Sequence, residues 1–182
     1  MRVIAGKARG IQLQTPQGML TRPTIDRVKE ALFSILQFEL PGAKVLDLFG
    51  GTGQLGIEAL SRGASRAVFV DSRREACQLI RSNLKKTHLE QDAVVIQRDY
   101  MDYLNQCHEQ FRLILLDPPY AEVFLENSIK RITEIDILQS NGIIATERPL
   151  GKELPWEFPG FTRSKDYKYG QILLTFYRKN EE

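Results

Sequence analysis

From Lys44 onward, five short apolar runs alternate with segments of helical periodicity, and this alternation limits the fold more than any other feature. The runs are KVLDLF (44–49), RAVFVD (66–71), AVVIQRD (93–99), FRLILLD (111–117) and GIIATER (142–148). Between them lie a helical segment with Leu55, Ile57, Ala59 and Leu60 ending at Gly63, another running to about Thr87, a short one around Met101–Asn105, and one over roughly 122–139. Near-continuous apolar strands separated by helices are the pattern of a parallel sheet buried on both faces. At the end of the chain, FTRSKDYKY and QILLTFYRK flank Gly170 with no room for a helix between them. They are expected to form an antiparallel hairpin. The expected architecture is α/β: a mostly parallel seven-stranded sheet, closed by that hairpin, with helices on both faces.

Ahead of this unit, RVIAG and GIQLQTP lie on either side of Lys7–Gly10. They are β-prone runs joined by a turn, and a small hairpin is expected over residues 1–20, appended to a single domain spanning 1–182. Thr21–Thr24 reads as a turn, with Thr24 as the N-cap after Pro23. A helix is expected from about Ile25 to Glu39, because Val28, Ala31, Leu32, Ile35 and Leu36 fall on one face. Pro41-Gly42 stops it. A chain of 182 residues falls within the usual size of one domain with its own core.

Composition excludes several classes. Hydrophobic residues make up 42% and charged residues 26%, so the chain is neither a disordered tail nor a disulfide miniprotein. No run approaches the ~20 apolar residues of a membrane span, and the opening MRVIAGKARG has no apolar signal region. A cytoplasmic protein with no membrane partner is expected. Cys77 and Cys107 lack metal-ligand spacing and are expected as free thiols. His88 and His108 are isolated, so no metal is expected. Net charge is only +2, but residues 1–36 carry +4, 62–86 carry +5 and 161–179 carry +4, leaving −11 elsewhere. Such polarity fits a basic face for a polyanion.

The chemistry gathers where strands end. Asp47-Leu-Phe49-Gly50-Gly51-Thr-Gly53-Gln-Leu-Gly56 spans the first strand-to-helix turn. Glycines let backbone pass close to a ligand, and the following helix offers free N–H donors. Gly51, Gly53 and Gly56 fit G-x-G-x-x-G, a weak signal alone. Asp47, inside the strand end, suits a cationic or hydroxyl-bearing ligand better than a pyrophosphate. Asp71, followed by Ser72, ends the second run and can take ribose hydroxyls. Asp99, followed by Tyr100, ends the third and can accept from an adenine amino group. Each acid alone also suits a helix cap, but three at successive strand ends share the sheet edge where open α/β folds bind ligands. Asp117-Pro118-Pro119-Tyr120 ends the fourth run. Two prolines force a rigid extended turn. They leave Asp117 and the Pro118 carbonyl as acceptors beside the Tyr120 ring, a receptor for a planar group with an exocyclic NH₂.

DxFxGxG, acids ending strands two and three, and DPPY together resemble the Rossmann-like S-adenosylmethionine-dependent methyltransferases that modify exocyclic amino groups. The block Arg22-Pro-Thr-Ile-Asp26-Arg27-Val-Lys-Glu30-Ala-Leu-Phe33, with the opening RVIAGKARG and the closing YGQILLTFYRK, is similar to the bacterial small-subunit (16S) rRNA guanine-N2 methyltransferase D family over nearly the whole chain. The departures are small: Gly50 and Thr52 stand where Ala and Ser are common, Asp71 where Glu is common, and Arg73 where a second acid often follows.

The resemblance implies methyl transfer from S-adenosylmethionine to guanine N2 in 16S rRNA or the small subunit, by a monomer. It implies Thr24, Asp47, Phe49, Gly50, Gly51, Gly53, Asp71, Ser72, Asp99 and Tyr100 as cofactor residues. Asp117, Pro118, Pro119 and Tyr120 would hold the target base. Arg2, Lys7, Arg9, Arg22 and Arg27, with Lys165 and Lys168, would meet RNA phosphates, which makes affinity fall with salt. Glu147, ending the fifth run, is equally consistent with lining the site or with a structural role. Two other readings stay open. An adenine-N6 methyltransferase would normally add a target-recognition domain. A catalytically silent, cofactor-binding assembly factor has no need of an amino-group pocket.

Overall fold

The computed structural model describes residues 1–16, 23–119 and 122–180, without the side chains of residues 23–25 and 122. Arg22 and Tyr120 lie outside the described residues, as does the side chain of Thr24. The elements in chain order are α1 (Pro23–Ile35), β1 (Lys44–Asp47), α2 (Gln54–Ser61), β2 (Arg66–Asp71), α3 (Arg74–Thr87), β3 (Ala93–Gln97), α4 (Tyr100–Asn105), β4 (Phe111–Leu116), α5 (Glu122–Ile135), β5 (Leu138–Pro149), β6 (Glu157–Phe158), β7 (Phe161–Arg163), β8 (Tyr167–Tyr169) and β9 (Ile172–Lys179). A single 3₁₀ turn, Glu90–Asp92, precedes β3.

The sheet order is β3-β2-β1-β4-β5-β9-β7-β6, with β8 also on β9. Strands β1 to β5 pair parallel, and β9 runs antiparallel to β5. The order reverses at β1, so the crevice between the carboxyl ends of β1 and β4 is the topological switch point. Alternate residues point to opposite faces. Val45, Phe69, Leu115 and Ala145 join α1, α2 and α3 in one core layer. Leu46, Val70, Leu116 and Ile144 join α4 and α5 in the other.

The expectation of seven strands is corrected to nine among the described residues. The first arm of the terminal hairpin is broken into β7 and β8, and β6 is added outside it. The break falls at Ser164–Asp166, where Asp166 leaves the ladder for a polar cluster. Its Oδ2 lies 2.5 Å from Arg148 Nη2 and 2.6 Å from Arg163 Nη2, and its Oδ1 accepts from Thr175 at 2.8 Å. Two buried guanidiniums need that carboxylate more than the ladder needs a continuous strand. Thr24, expected as the cap of the first helix, lies inside α1, whose described part begins at Pro23.

The N-terminal segment is not a loose appendage. Its hairpin has one bridge, Arg2 to Gln12, and it is held by contacts with the body instead. Val3, Ala8 and Leu13 are buried in the core. Glu58 of α2 accepts the N–H groups of Ile4 and Ala5 at 2.8 and 3.0 Å. Ser61 accepts from Ala8 at 2.9 Å and donates to the Ala5 carbonyl at 2.6 Å. Asn83 of α3 accepts from the Gln14 N–H at 2.7 Å and donates to the carbonyls of Gln14 and Thr52 at 3.0 and 2.8 Å.

Gly6 makes this docking possible. It has φ +84°, and a Cβ there would sit 1.9 Å from the Ser61 carbonyl oxygen. Gly6→Ala is expected to cost at least about 3 kcal/mol. That is a fall in Tm of roughly 6–12 °C at this chain length, read by thermal unfolding. Gly10 has the same φ but open space around it, so Gly10→Ala is expected to cost only about 1–2 kcal/mol.

Candidate active site

Register brings the strand-end acids together. Asp47 pairs with Phe69 of β2 and Leu115 of β4, and Asp71 ends β2 opposite Gln97. Leu116 pairs with Thr146, so Asp117 and Glu147 are neighbours one residue further on. By strand parity, Asp47, Asp71, Asp117 and Glu147 continue the face of Val45, Phe69, Leu115 and Ala145, the side covered by α1, α2 and α3.

Asp47 is 1% exposed. Its Oδ2 accepts the Gly56 N–H at 3.0 Å, and its Oδ1 is buried with no partner among the described residues. Burial pushes its pKa up to about 8, the Gly56 N–H opposes, and the charges of Asp117 and Asp71 add to the rise. Burial thus favours the neutral carboxyl, and an approaching cation would favour the charged form.

The glycine turn divides its labour. A Cβ on Gly50 would meet Ile80 at 2.7 Å, one on Gly53 would meet Ile57 and Ile80 at 3.2 and 3.3 Å, and one on Gly56 would meet the Phe69 ring at 2.3 Å. These three let α2 pack against the sheet and α3. Gly51, at φ +56°, has only one atom near, at 3.8 Å, and is the open position of the turn.

Asp71 is already engaged. Its Oδ2 accepts the Gly51 N–H at 3.0 Å and its Oδ1 the Arg73 N–H at 2.9 Å. The Arg73 guanidinium adds a two-pronged ion pair at 3.2 and 3.3 Å. The residue that departs from the family pattern therefore occupies the acid expected to hold a ribose. Ser72 beside it is exposed. Asp99 caps α4 through Oδ1, accepting from Met101 and Asp102 at 2.8 and 3.4 Å. That is the capping role its position also suited, and it uses one carboxyl oxygen.

Three rings close this end of the edge. Phe49 and Tyr100 lie 5.2 Å apart, and Phe124 lies 5.4 Å from Tyr100 and 6.3 Å from Phe49. Phe124 was not among the expected site residues. Its signal is an aromatic side chain in the first turn of the helix that follows DPPY.

After β4, Asp117 and Pro118 are half-buried and Pro119 is exposed. Burial raises the Asp117 pKa to about 6. At Glu147 burial raises the pKa to about 8, with the Asp117 charge adding and Lys29 opposing.

Of the residues expected to meet RNA, Arg2, Arg9 and Arg27 line one groove of about 400 Å³ with Asp26 and Glu30. Within it, Arg2 pairs with Asp26 at 3.8 Å. Lys7 lies elsewhere, paired with Asp92 at 3.3 Å. Lys165 and Lys168 are exposed around β8. His88 terminates α3 in a left-handed conformation, and His108 is exposed. The two cysteines are free thiols. Among the described residues no group of three metal-binding side chains gathers, and no helix is long and apolar enough to cross a membrane.

Similarity to known proteins runs through the whole of this arrangement. A family model described as Conserved hypothetical protein 95 matches residues 1–178. The "Putative rRNA methyltransferase YlbH" of Bacillus subtilis is 38% identical over 182 residues, covering 98% of this chain and 99% of that protein. The "Ribosomal RNA small subunit methyltransferase D" of Escherichia coli is 31% identical, covering 100% of this chain and 91% of that protein. The solved structure of the "Putative methyltransferase yhhF from Escherichia coli" superposes with a TM-score of 0.89 at 29% identity, covering 100% of this chain and 99% of the other. With the methyltransferase-like sheet order and the acids at its switch point, these matches settle membership: the chain belongs to the Conserved hypothetical protein 95 family, the family that includes ribosomal RNA small subunit methyltransferase D.

Proposed function

We propose that this chain methylates the exocyclic N2 of a guanine in 16S rRNA, using S-adenosylmethionine and acting on the small subunit or an assembly intermediate. The observation that carries the reading is the convergence of Asp47, Asp71, Asp117 and Glu147 at this edge of the sheet, with one buried Asp47 oxygen left without a partner among the described residues. The same reading has the chain act as one cytoplasmic domain and as a monomer.

The residues present fit the cofactor. Burial favours the neutral form of Asp47, an approaching methionine ammonium favours the charged form, and Oδ1, unpartnered among the described residues, is the acceptor that such a group needs. Gly51 leaves space for the amino-acid portion. Asp71 takes the ribose hydroxyls once Arg73 swings away, and the Phe49, Tyr100 and Phe124 rings bracket the adenine. Gly50 and Gly53 support the turn from behind, and Ser72, Thr24 and Asp99 border the site. When bound, the cofactor supplies a methyl group on a sulfonium. Asp117 and the Pro118 carbonyl accept the two N–H bonds of the target amino group, Pro119 keeps that turn rigid, and Tyr120 stacks the base. The guanine amino lone pair is delocalised into the ring, so alignment supplies most of the acceleration, up to ~7–11 kcal/mol. Arg2, Arg9 and Arg27 in their groove, with Lys7 and Arg22, meet phosphates.

Asp71→Ala is expected to weaken S-adenosylmethionine binding roughly 10- to 100-fold by calorimetry, the loss of about 1.5–3 kcal/mol for hydrogen bonds to a charged group. Arg73→Ala removes the competing guanidinium and leaves affinity equal or tighter. To test the substrate class, initial rates of labelled methyl transfer should be compared on protein-free 16S rRNA and on small subunits lacking the modification. Transfer to either supports the reading, and the faster one identifies the natural substrate. Cofactor binding without transfer to either supports the silent assembly factor instead.

A further inference from the structure

The proposed mechanism leaves Glu147 without a role, although its placement is as specific as that of Asp117. Leu116 and Thr146 are register partners on adjacent parallel strands, and Asp117 and Glu147 each follow by one residue. Neighbouring strands lie about 4.8 Å apart, and matched positions point to the same face. Both residues are half-buried there. Across β9, the partner of Glu147 is Leu174, which is apolar. From α1, the buried Lys29 acts on Glu147 but is shared with Glu58, 3.6 Å away, and with Asp26. Asp47 acts on the Asp117 side. Among the described residues, the cation acting on Glu147 is Lys29, and it is shared with Glu58 and Asp26.

The geometry points to Glu147 as a positioning residue: with Asp117 it forms a carboxyl pair carrying a single negative charge, and this pair rather than Asp117 alone receives the proton released by methylation. The inference rests on the reading of Asp117 as the residue that holds the target amino group. Two carboxylates at this spacing, withdrawn from water, do not both ionise readily. Their protons come off in two steps that belong to the pair, consistent with the values of about 6 and about 8 at the two residues. In the reaction, the amino lone pair forms the N–C bond. The C–S bond breaks with its electrons left on sulfur. The surplus proton of the nitrogen passes to ionised Asp117 while Glu147 is still protonated, and it leaves to water after release. Atoms and charge balance: a sulfonium and an amine give a thioether, a methylated amine and one proton.

The test has two arms. In the free protein with ¹³C-labelled carboxyls, NMR titration should show two steps shared by the pair, near 6 and near 8, the lower weighted on Asp117 and the upper on Glu147. Asp117→Asn should lower the Glu147 step by about one pH unit, since a like charge is removed. Glu147→Gln should abolish the upper step and keep the lower. An unmoved Glu147 step in Asp117→Asn overturns the pair whatever the substrate proves to be. The second arm is single-turnover methyl transfer to small subunits against pH. Wild type should lose rate on both sides: at low pH Asp117 cannot accept a proton, and at high pH two facing carboxylates repel. Glu147→Gln should keep the acid limb, lose the alkaline one and bind S-adenosylmethionine within about twofold of wild type. An alkaline limb that persists in Glu147→Gln overturns the proposal. A full rate in Asp117→Asn with a normally coupled titration would instead overturn the underlying reading of the site.

Discussion

Asp117→Ala is expected to slow methyl transfer by roughly 10²–10³-fold while S-adenosylmethionine binding does not weaken. Asp117 is set at the end of β4, one residue past the Leu116–Thr146 pair, and it is followed by two prolines that fix the turn. Its carboxyl offers the acceptor that pulls the amino group towards tetrahedral geometry, an interaction that strengthens as the new bond forms. Losing it costs the transition state more than the ground state. Cofactor binding has a different expectation for a physical reason. The Asp117 charge is one of the influences holding the Asp47 pKa high, so its removal makes Asp47 easier to ionise and a better partner for an ammonium. Asp117→Asn keeps one acceptor but cannot take a proton, and its rate should fall between wild type and Asp117→Ala. Single-turnover rates with saturating cofactor, beside calorimetric binding, separate the two effects. A parallel loss of both in Asp117→Ala would contradict the assignment.

The second large effect is on stability. Glu58→Ala is expected to cost about 3–5 kcal/mol, or roughly 6–20 °C in Tm. The Glu58 carboxyl is 0% exposed and serves four donors: the N–H groups of Ile4 and Ala5, Arg62 Nε at 2.8 Å and Lys29 Nζ at 3.6 Å. Truncation leaves two backbone N–H groups without their acceptor, and leaves the buried Lys29 with the Arg2 carbonyl, 2.6 Å away, but without its carboxylate. Burial already lowers the Lys29 pKa, and Glu58 is the largest opposing influence. In the variant the lowering deepens. The folded chain then binds fewer protons than the unfolded one, so stability rises with pH towards the ordinary lysine range. Part of the loss should therefore be recovered on raising the pH, and the double variant with Lys29→Met should recover more. Chemical denaturation of the four chains of that cycle measures the coupling.

The parts of this molecule that were legible in the sequence are those fixed by local rules. Strand β2 (Arg66–Asp71) falls where its apolar run does, and α3 ends at Thr87. The strand-end acids were legible because each stands beside its own strand, and the parallel alternation brings those ends to one edge. Thr24 was misread as a cap because Pro23 and Thr24 both carry helix-start signals, and both lie inside α1. The broken terminal strand was invisible because its cause, the demand of Arg148 and Arg163 for Asp166, joins residues from different elements. The docking of the N-terminal segment was hidden for the same reason. Glu58 looks like any acid in a short amphipathic helix, and its partners Ile4 and Ala5 are 54 and 53 residues away. The Arg73 pair with Asp71 was half legible: the departure stood out, but only the structure shows the guanidinium lying on the carboxylate.

The central claim is that the edge formed by Asp47, Asp71 and Asp117 delivers a methyl group to a guanine amino group in small-subunit RNA. The direct measurement is transfer from labelled S-adenosylmethionine to small subunits lacking the modification, followed by nucleoside digestion and chromatography. The account predicts label in N2-methylguanosine. Label in N6-methyladenosine would contradict the substrate while leaving the cofactor site standing, and no label with cofactor bound would contradict the activity itself.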